Sequence, residues 1–397
     1  MTMVMPQVPA GVRLSGRLAM RRALLLPLSH SSVAAERFAH RLGQLVNIET
    51  PSGCVKGLNS AYDLLQEWAG DRLGRPERVI RKGVPHLHWP NTDPTVPRSR
   101  RVLLLGHADT VWPMGTLEEN PFAVRNGRAT GPGVFDMKAG LVLAFEALRQ
   151  LGDVAHVSML VSGDEERGSI TSRALIEEAA STCGAVLVLE PSQDGAVKTA
   201  RKGVASYRLG ISGRAAHAGL EPENGVNALT ELAHQVLSIS ELADLGRGTT
   251  VTPTTGGAGT TVNTVPEQAF VNVDVRAWER AELERVEQSL RALQPRQPGA
   301  GLTFEGGVNR GPLEREMSLD LLRTAQDIAE RLGLEPITEA RVGGGSDGNI
   351  TASLGLPTLD GLGPDGGGAH ARHEWVDIAS VEDRAALVAG LIAVRAA

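Results

Sequence analysis

Histidines and carboxylates gather along this chain in a few short clusters, and their types suit the coordination of divalent metal. They are His107-Ala-Asp109, Asp136 within Gly131-Pro-Gly-Val-Phe-Asp-Met-Lys-Ala-Gly140, the run Asp164-Glu165-Glu166, Glu190, and His370. Zinc takes imidazole nitrogen and carboxylate oxygen, and a catalytic site leaves one position for water. Two ions roughly 3.5–4 Å apart can share a bridging carboxylate and activate the water between them. Such a pair needs one bridge and two further ligands per ion. His107 and Glu190 complete one ion and Glu166 and His370 the other, with Asp136 between them. Asp109, two residues past His107, is placed to accept the imidazole's other N–H and fix its tautomer. Glu165 points away from Glu166 if the segment is extended, and an uncoordinated carboxylate beside activated water is what a general base requires. Singly, each cluster has an ordinary reading: a capping pair, a solvated acidic turn at a helix N-terminus, or a loop histidine with His373 an equal rival. Jointly they predict a hydrolytic site.

Several clusters directly follow a run that reads as a buried strand. Val102–Leu105 is a short apolar stretch, as are His156–Val161 and Ala185–Leu189. Helical spacing covers Ala34–Val46, Ser60–Leu73, Gly140–Leu151 and Thr171–Ala180. The alternation predicts an α/β fold with a doubly wound, mostly parallel sheet, which binds ligands outside the carboxyl ends of its strands. The pattern changes near residue 205. Strand candidates Ala205–Ile211, Thr249–Thr255, Thr260–Val262, Ala269–Ala277 and Leu302–Glu305 surround helices Gly225–Leu242 and Glu282–Leu293. The order β-α-β-β-α-β is that of a ferredoxin-like α+β unit. The expected organisation is an extension over 1–33, a catalytic domain over 34–204 and 312–397, and an inserted unit over 205–311. A helix over Leu319–Leu332 reopens the catalytic domain.

With 397 residues the chain is long for one core, in keeping with two domains. A net charge of −6 supplies no broad basic field for nucleic acid, and 3% aromatics are too few for a stacking platform. Two cysteines, Cys54 and Cys183, exclude a disulfide framework and a thiolate zinc site. No apolar run reaches the ~20 residues of a membrane span. Met20-Arg-Arg22 followed by Ala23–Leu28 resembles a short, poor export signal, weakened by Pro27 and the nineteen residues ahead of it. A cytoplasmic enzyme is therefore expected, with periplasmic export the minor alternative.

At these residues the chain resembles the co-catalytic di-zinc exopeptidases and deacylases, the family of aminoacylase, acetylornithine deacetylase and the glutamate carboxypeptidases. The resemblance runs from about residue 35 to the end. It rests on Gly106-His-Ala-Asp-Thr110, Gly133-Val-Phe-Asp-Met-Lys-Ala-Gly140, Ser162-Gly-Asp-Glu-Glu-Arg-Gly-Ser169 and Leu189-Glu-Pro191. Gly213-Arg-Ala-Ala-His-Ala-Gly219, Asn263-Thr-Val-Pro266, Val273-Asp-Val-Arg276 and Gly343-Gly-Gly-Ser-Asp347 match as well. It implies two zinc ions per subunit, with Asp136 bridging, His107 and Glu190 on one ion, and Glu166 and His370 on the other. His370 is preferred to His373 because it lies four residues before Glu374-Trp-Val376. Glu165 is the implied base. His217 is implied to cross a dimer interface and steady the oxyanion in the partner's site. Asn263, Arg276 and Gly345 are the implied substrate-binding positions, and Arg276 suits a bidentate grip on a carboxylate. The inserted unit is implied to be a lid and dimerisation domain, and the Asp136–Met137 peptide bond is implied to be cis.

Glu190 in place of Asp, with Gly168–Arg173 and His217–Leu229, points to the bacterial glutamate carboxypeptidase branch. The expected activity is a zinc carboxypeptidase releasing a C-terminal amino acid such as glutamate from a peptide or N-acyl conjugate. The alternative is an N-acyl-amino-acid deacylase or desuccinylase, which shares the metals and differs in the side of the amide it recognises. A metal-holding scaffold without catalysis is disfavoured, since a pure binder has no use for Glu165. A homodimer is expected, as the commonest closed assembly.

Overall fold

The computed structural model describes residues 31–90 and 93–396. The Met20–Leu28 segment and residues 1–30 of the expected extension lie outside them. In chain order the principal elements begin with helices α1 (Ser31–Val46) and α2 (Val55–Ala69) and strands β1 (Glu77–Arg81), β2 (Val84–Trp89) and β3 (Val102–His107). Helix α3 (Ala139–Arg149), strand β4 (Val157–Ser162), helix α4 (Arg173–Ser181) and strand β5 (Ala185–Val188) follow. Next come strand β6 (Gly203–Ser212), helix α5 (Ala228–Ser240), strands β7 (Thr250–Ala258) and β8 (Gln268–Ala277), helix α6 (Arg280–Arg291) and strand β9 (Gly301–Arg310). Helix α7 (Leu319–Leu332), strand β10 (Thr358–Leu359) and helix α8 (Ser380–Ala396) complete the set.

The chain divides into two compact units. One comprises Met1–Thr199, Met317–Ala340 and Leu354–Ala397, the other Ala200–Glu316 and Arg341–Ser353. Ala200–Val204, Pro312–Glu316 and Arg341–Ser353 thus group with the second unit, whereas the sequence boundaries had placed them in the catalytic domain.

The first unit is α/β. Its sheet runs β1-β2-β4-β3-β5-β10, with β4, β3, β5 and β10 parallel. Every residue of β3, β4 and β5 is buried, as strands covered on both faces require. Helix α3 packs with α1 and α8, while α2 rests on β2 and α4 on β4. The β1–β2 hairpin joins β4 antiparallel and was absent from the sequence reading. Lys82 at φ 47° and Gly83 at φ 84° form its two-residue turn, the conformation that matches strand twist.

The second unit is α+β. Its sheet runs β7-β8-β6-β9 with all neighbours antiparallel, in the chain order β-α-β-β-α-β. Burial alternates along β6 and β8, so one face meets α5 and α6 while the other stays open. Tyr207, Leu209, Ile211, Val271, Val273 and Val275 form that core with Leu232, Ile239, Leu283 and Val286. Asn227 caps α5 by accepting the N–H groups of Leu229 and Thr230 at 2.9 and 3.1 Å, a contribution of about 1 kcal/mol. The expected strand Thr260–Val262 is a loop. Edge strand β7 stays paired through Ala258 opposite Ala269, and Gly259 at φ 64° turns the chain away.

Candidate metal centre

His107 closes β3, the strand at which the order of the sheet reverses: β4 lies on one side and β5 on the other. The crevice beyond the carboxyl end of such a strand is where open α/β sheets hold ligands. Glu165 and Glu166 follow β4, and Glu190 follows β5. Gly140 lets the start of α3 close on this edge, because a Cβ there would stand 2.0 Å from the carbonyl oxygen of Leu189. Any side chain would push the helix off the backbone that presents Glu190.

The remaining groups arrive from loops. Asp136 lies in the turn Val134–Lys138, and the Asp136–Met137 peptide bond is cis. His370, at φ 63°, lies between Gly366–Gly367 and Trp375–Asp377. These two short strands pair with each other, and Trp375–Asp377 pairs with Arg128–Thr130, which precedes the Asp136 turn. Glu374 fastens the two loops together. Its fully buried carboxylate accepts the N–H groups of Gly133, Phe135 and Asp136 at 2.9, 2.8 and 2.8 Å, and Trp112 Nε1–H at 3.1 Å. Burial pushes the carboxyl up to about 7 despite those donors.

The five expected metal ligands converge. His107 Nε2 stands 3.3 Å from Asp136 Oδ1 and 3.5 Å from Glu190 Oε1. His370 Nε2 stands 3.3 Å from Asp136 Oδ2 and 3.2 Å from Glu166 Oε2. The two oxygens of Asp136 therefore face two different histidines. A tetrahedral ion with bonds of about 2.0–2.2 Å holds neighbouring ligand atoms about 3.3–3.6 Å apart, so both groups have the spacing of a ligand set. Ligand atoms of His107, Asp136 and Glu166 all lie within 4.8 Å of one another. Glu166 Oε1 is buried with no hydrogen-bond partner among the described residues, as expected of an oxygen meant for a cation. Hydrogen bonds to Asp136 and then Glu166 push His370 up to about 10. Burial raises the Glu166 carboxyl, partly offset by His370. The residues fit a metal.

Asp109 and Glu165 sit beside this cluster, both buried. His107 Nδ1 lies 2.9 Å from the backbone oxygen of Asp109 and 3.5 Å from its carboxylate. That carboxylate also accepts the Glu165 and Glu166 amides at 3.1 and 3.2 Å, and Ser52 Oγ–H at 2.6 Å. One side chain thus orients the histidine and pins the acidic turn. Asp164 braces the same turn by accepting from Thr171 N, Thr171 Oγ1 and Ser172 Oγ at 2.6, 2.8 and 2.6 Å. His86 accepts from Gly163 N at 3.2 Å through Nδ1, so its Nε2–H donates to Thr171 Oγ1 at 3.1 Å; burial keeps this imidazole neutral. Glu374, Asp164 and His86 were not singled out as site residues from sequence. The fixed place of Glu374 four residues beyond His370 was a usable signal, whereas a lone histidine in a strand gave none.

His217, Asn263, Arg276 and Gly345 belong to the second unit, where they form two groups. His217 is bridged to Thr264, and Ala218 N–H donates to the Asn263 oxygen at 2.9 Å, just beyond the end of β6. His217 Nδ1 accepts the Gly219 and Leu220 amides, both at 3.1 Å, which leaves Nε2–H as an outward donor. Arg276 pairs with Val204 at the start of β6. Gly345 lies beside the same Val204, whose Cγ2 a Cβ would approach to 3.2 Å. Val204 to Ser212, eight steps of ~3.3 Å along β6, lie between the two groups, a strand length of ~26 Å.

The sequence pattern of peptidase family M20/M25/M40 matches residues 103–394. The chain belongs to that family. As a member it is a metal-dependent hydrolase of the metallopeptidase class, similar to carboxypeptidases. It is 31% identical to carboxypeptidase G2 of Pseudomonas sp. over 368 residues, covering 88% of this chain and 87% of that protein. Succinyl-diaminopimelate desuccinylase of Parvibaculum lavamentivorans is 26% identical over 64% of this chain and 71% of its own length. In fold, the chain is similar to the crystal structure of aminopeptidase PepT from Bacillus cereus, with a TM-score of 0.72 at 22% identity, covering 91% of this chain and 99% of that one. Among the described residues, no helix of this M20 family member is long and apolar enough to cross a membrane.

Proposed function

We propose that the chain is a di-zinc carboxypeptidase that hydrolyses an amide bond and releases a C-terminal amino acid, glutamate among them, from peptides or N-acyl conjugates. The observation that carries this reading is the Asp136 carboxylate, with one oxygen 3.3 Å from His107 and the other 3.3 Å from His370. Similarity to carboxypeptidase G2 supports the choice of reaction. His107, Asp136 and Glu190 hold one ion; Asp136, Glu166 and His370 hold the other. Zinc, when bound, lowers the pKa of water toward ~7 and polarises a carbonyl.

The chain's own residues do the rest. Glu165 takes the proton of the attacking water and returns it to the leaving amine. Asp109 keeps His107 in the tautomer that presents Nε2. His217 Nε2–H donates to the oxyanion, a stabilisation of roughly 3–4 kcal/mol in comparable sites. Arg276 grips the terminal carboxylate with Gly345 shaping the substrate site beside it, and Asn263 reaches the substrate from the His217 group. Arg276 pairs with the start of β6 and His217 lies beyond its end, and the ~26 Å length of that strand argues against one chain bringing both to the same substrate. A homodimer in which each chain lends His217 to its partner satisfies both roles. The exposed Leu229 and Leu237, two turns apart on α5, suit such a contact.

The second reading is an N-acyl-amino-acid deacylase or desuccinylase, favoured by the similarity to the desuccinylase. Metal analysis joined to a substrate panel separates them: a folate-type glutamate conjugate, N-succinyl-diaminopimelate and N-acetylornithine. Two zinc ions per chain with selective cleavage of the glutamate conjugate is the expected result. Preference for either of the other two selects the second reading, and no metal-dependent cleavage of any rejects both.

A further inference from the structure

Past the end of β5, the loop that carries Glu190 runs beside the segment that follows β10. The two strands pair in parallel at Thr358–Leu359. Beyond them, Leu362 N–H donates to the Val188 oxygen at 3.2 Å and Gly363 N–H to the Glu190 oxygen at 2.8 Å. Gly363 permits that approach, since a Cβ there would itself stand 2.8 Å from the Glu190 oxygen. The backbone ladder then fails. Pro191 and Pro364 have no N–H to give, and Ser192 N–H reaches the Pro364 oxygen only at 3.4 Å.

A side-chain bond closes the gap. Buried Ser192 donates through Oγ–H to Asp365 Oδ1 at 2.6 Å, the length of a hydroxyl bond to a charged carboxylate. Asp365 is fixed in turn. Its N–H donates to Ser380 Oγ at 3.0 Å, its backbone oxygen accepts Asp377 N–H at 2.8 Å, and its Oδ1 accepts Arg384 Nη2–H at 3.0 Å. Arg384 is buried on α8 and donates to the Gly195 oxygen as well, so one guanidinium also holds the far end of the Glu190 loop. Among the described residues, Asp365 is the one carboxylate in ion-pair contact with it.

We propose that Asp365 is a positioning residue for Glu190, acting through Ser192 on the ion that Glu190 helps to hold and not on the ion of Glu166 and His370. This rests on the reading of two ions with separate ligand sets. The selectivity follows from which bonds the side chain makes. Asp365 reaches the His370 side of the centre through its backbone, by the Asp377 N–H and by leading into Gly366–Gly367. Substituting the side chain leaves that backbone in place, whereas a general loosening of the fold would weaken both ions alike.

The test measures zinc affinity by chelator competition in the full-length protein, in two backgrounds. H370A keeps the ion of His107, Asp136 and Glu190; H107A keeps the ion of Asp136, Glu166 and His370. Ser192→Ala is expected to lower affinity about 10–100-fold in H370A, the usual cost of losing a partner that orients a ligand, and to leave affinity in H107A unchanged. Removing Asp365 alone would strand a buried guanidinium, so the second variant is D365A/R384M, with the same one-sided loss expected. Unchanged affinity in the H370A background, or an equal loss in both backgrounds, overturns the inference while the two-ion reading stands. A wild-type chain that binds a single zinc overturns that reading and the inference with it.

Discussion

The carboxylate of Glu374 accepts the backbone N–H of Asp136 at 2.8 Å, so the residue that faces both histidines is held in place from the far end of the chain. Glu374→Gln replaces an acceptor oxygen with a donor NH₂ turned toward other N–H groups. Zinc affinity is expected to fall about 10–100-fold, the usual cost of losing a partner that orients a ligand. Competition with a chromophoric chelator measures it, and an unchanged affinity would show that the Asp136 turn holds its shape without the clamp.

Glu165→Ala leaves every proposed metal ligand in place. Its expected signature is a drop in kcat of about 10²–10⁴-fold with metal content preserved. Loss of metal in parallel with activity would place Glu165 among the ligands instead.

Exchange of His217 between chains can be tested by mixing two inactive proteins. H217A lacks the oxyanion donor, and E165A lacks the base. Denaturing and refolding them together should yield heterodimers in which the H217A chain's centre receives His217 from its E165A partner, with activity returning to a sizeable fraction of wild type. Mixtures as inactive as their parents, with heterodimers present by native mass spectrometry, would exclude transfer of His217 across the interface.

In the second unit, buried Glu282 accepts from Arg285 at 2.9 and 3.0 Å, from Arg247 at 2.6 Å and from Thr249 at 2.8 Å. Hydrogen bonds from Arg285, chiefly, hold its carboxyl down to about 2. A folded-state pKa below the ordinary value of about 4.3 stabilises the fold above that value, and the benefit fades as pH falls toward 2. Denaturant unfolding at pH 7 and pH 3 should give a stability loss on acidification that is smaller in Glu282→Gln, by on the order of 1–3 kcal/mol. An equal acid loss in both proteins would show that other carboxylates account for it.

Much of this was legible in the chain, for a physical reason. Val102–Leu105 and Ala185–Leu189 are too apolar to be anything but covered strands, and His107 and Glu190, which come just after them, meet in the candidate metal centre. Leu319–Leu332 carries its own stop signal in Gly333, at φ 70°. The β1–β2 hairpin was hidden because Ile80 is 65% exposed and Val79 only partly buried, leaving no clean alternation to read. Glu374 was seen only as a marker for His370, because a carboxylate surrounded by backbone donors has no local signature.

The pairing of Trp375–Asp377 with Arg128–Thr130 also imposes an order of assembly. A nascent chain that has already exposed His107, Asp136, Glu166 and Glu190 still lacks both His370 and the Glu374 clamp on the Asp136 loop. The candidate metal centre is therefore complete only when the segment through residue 377 has emerged and docked, so a finished centre reports that the fold is nearly finished.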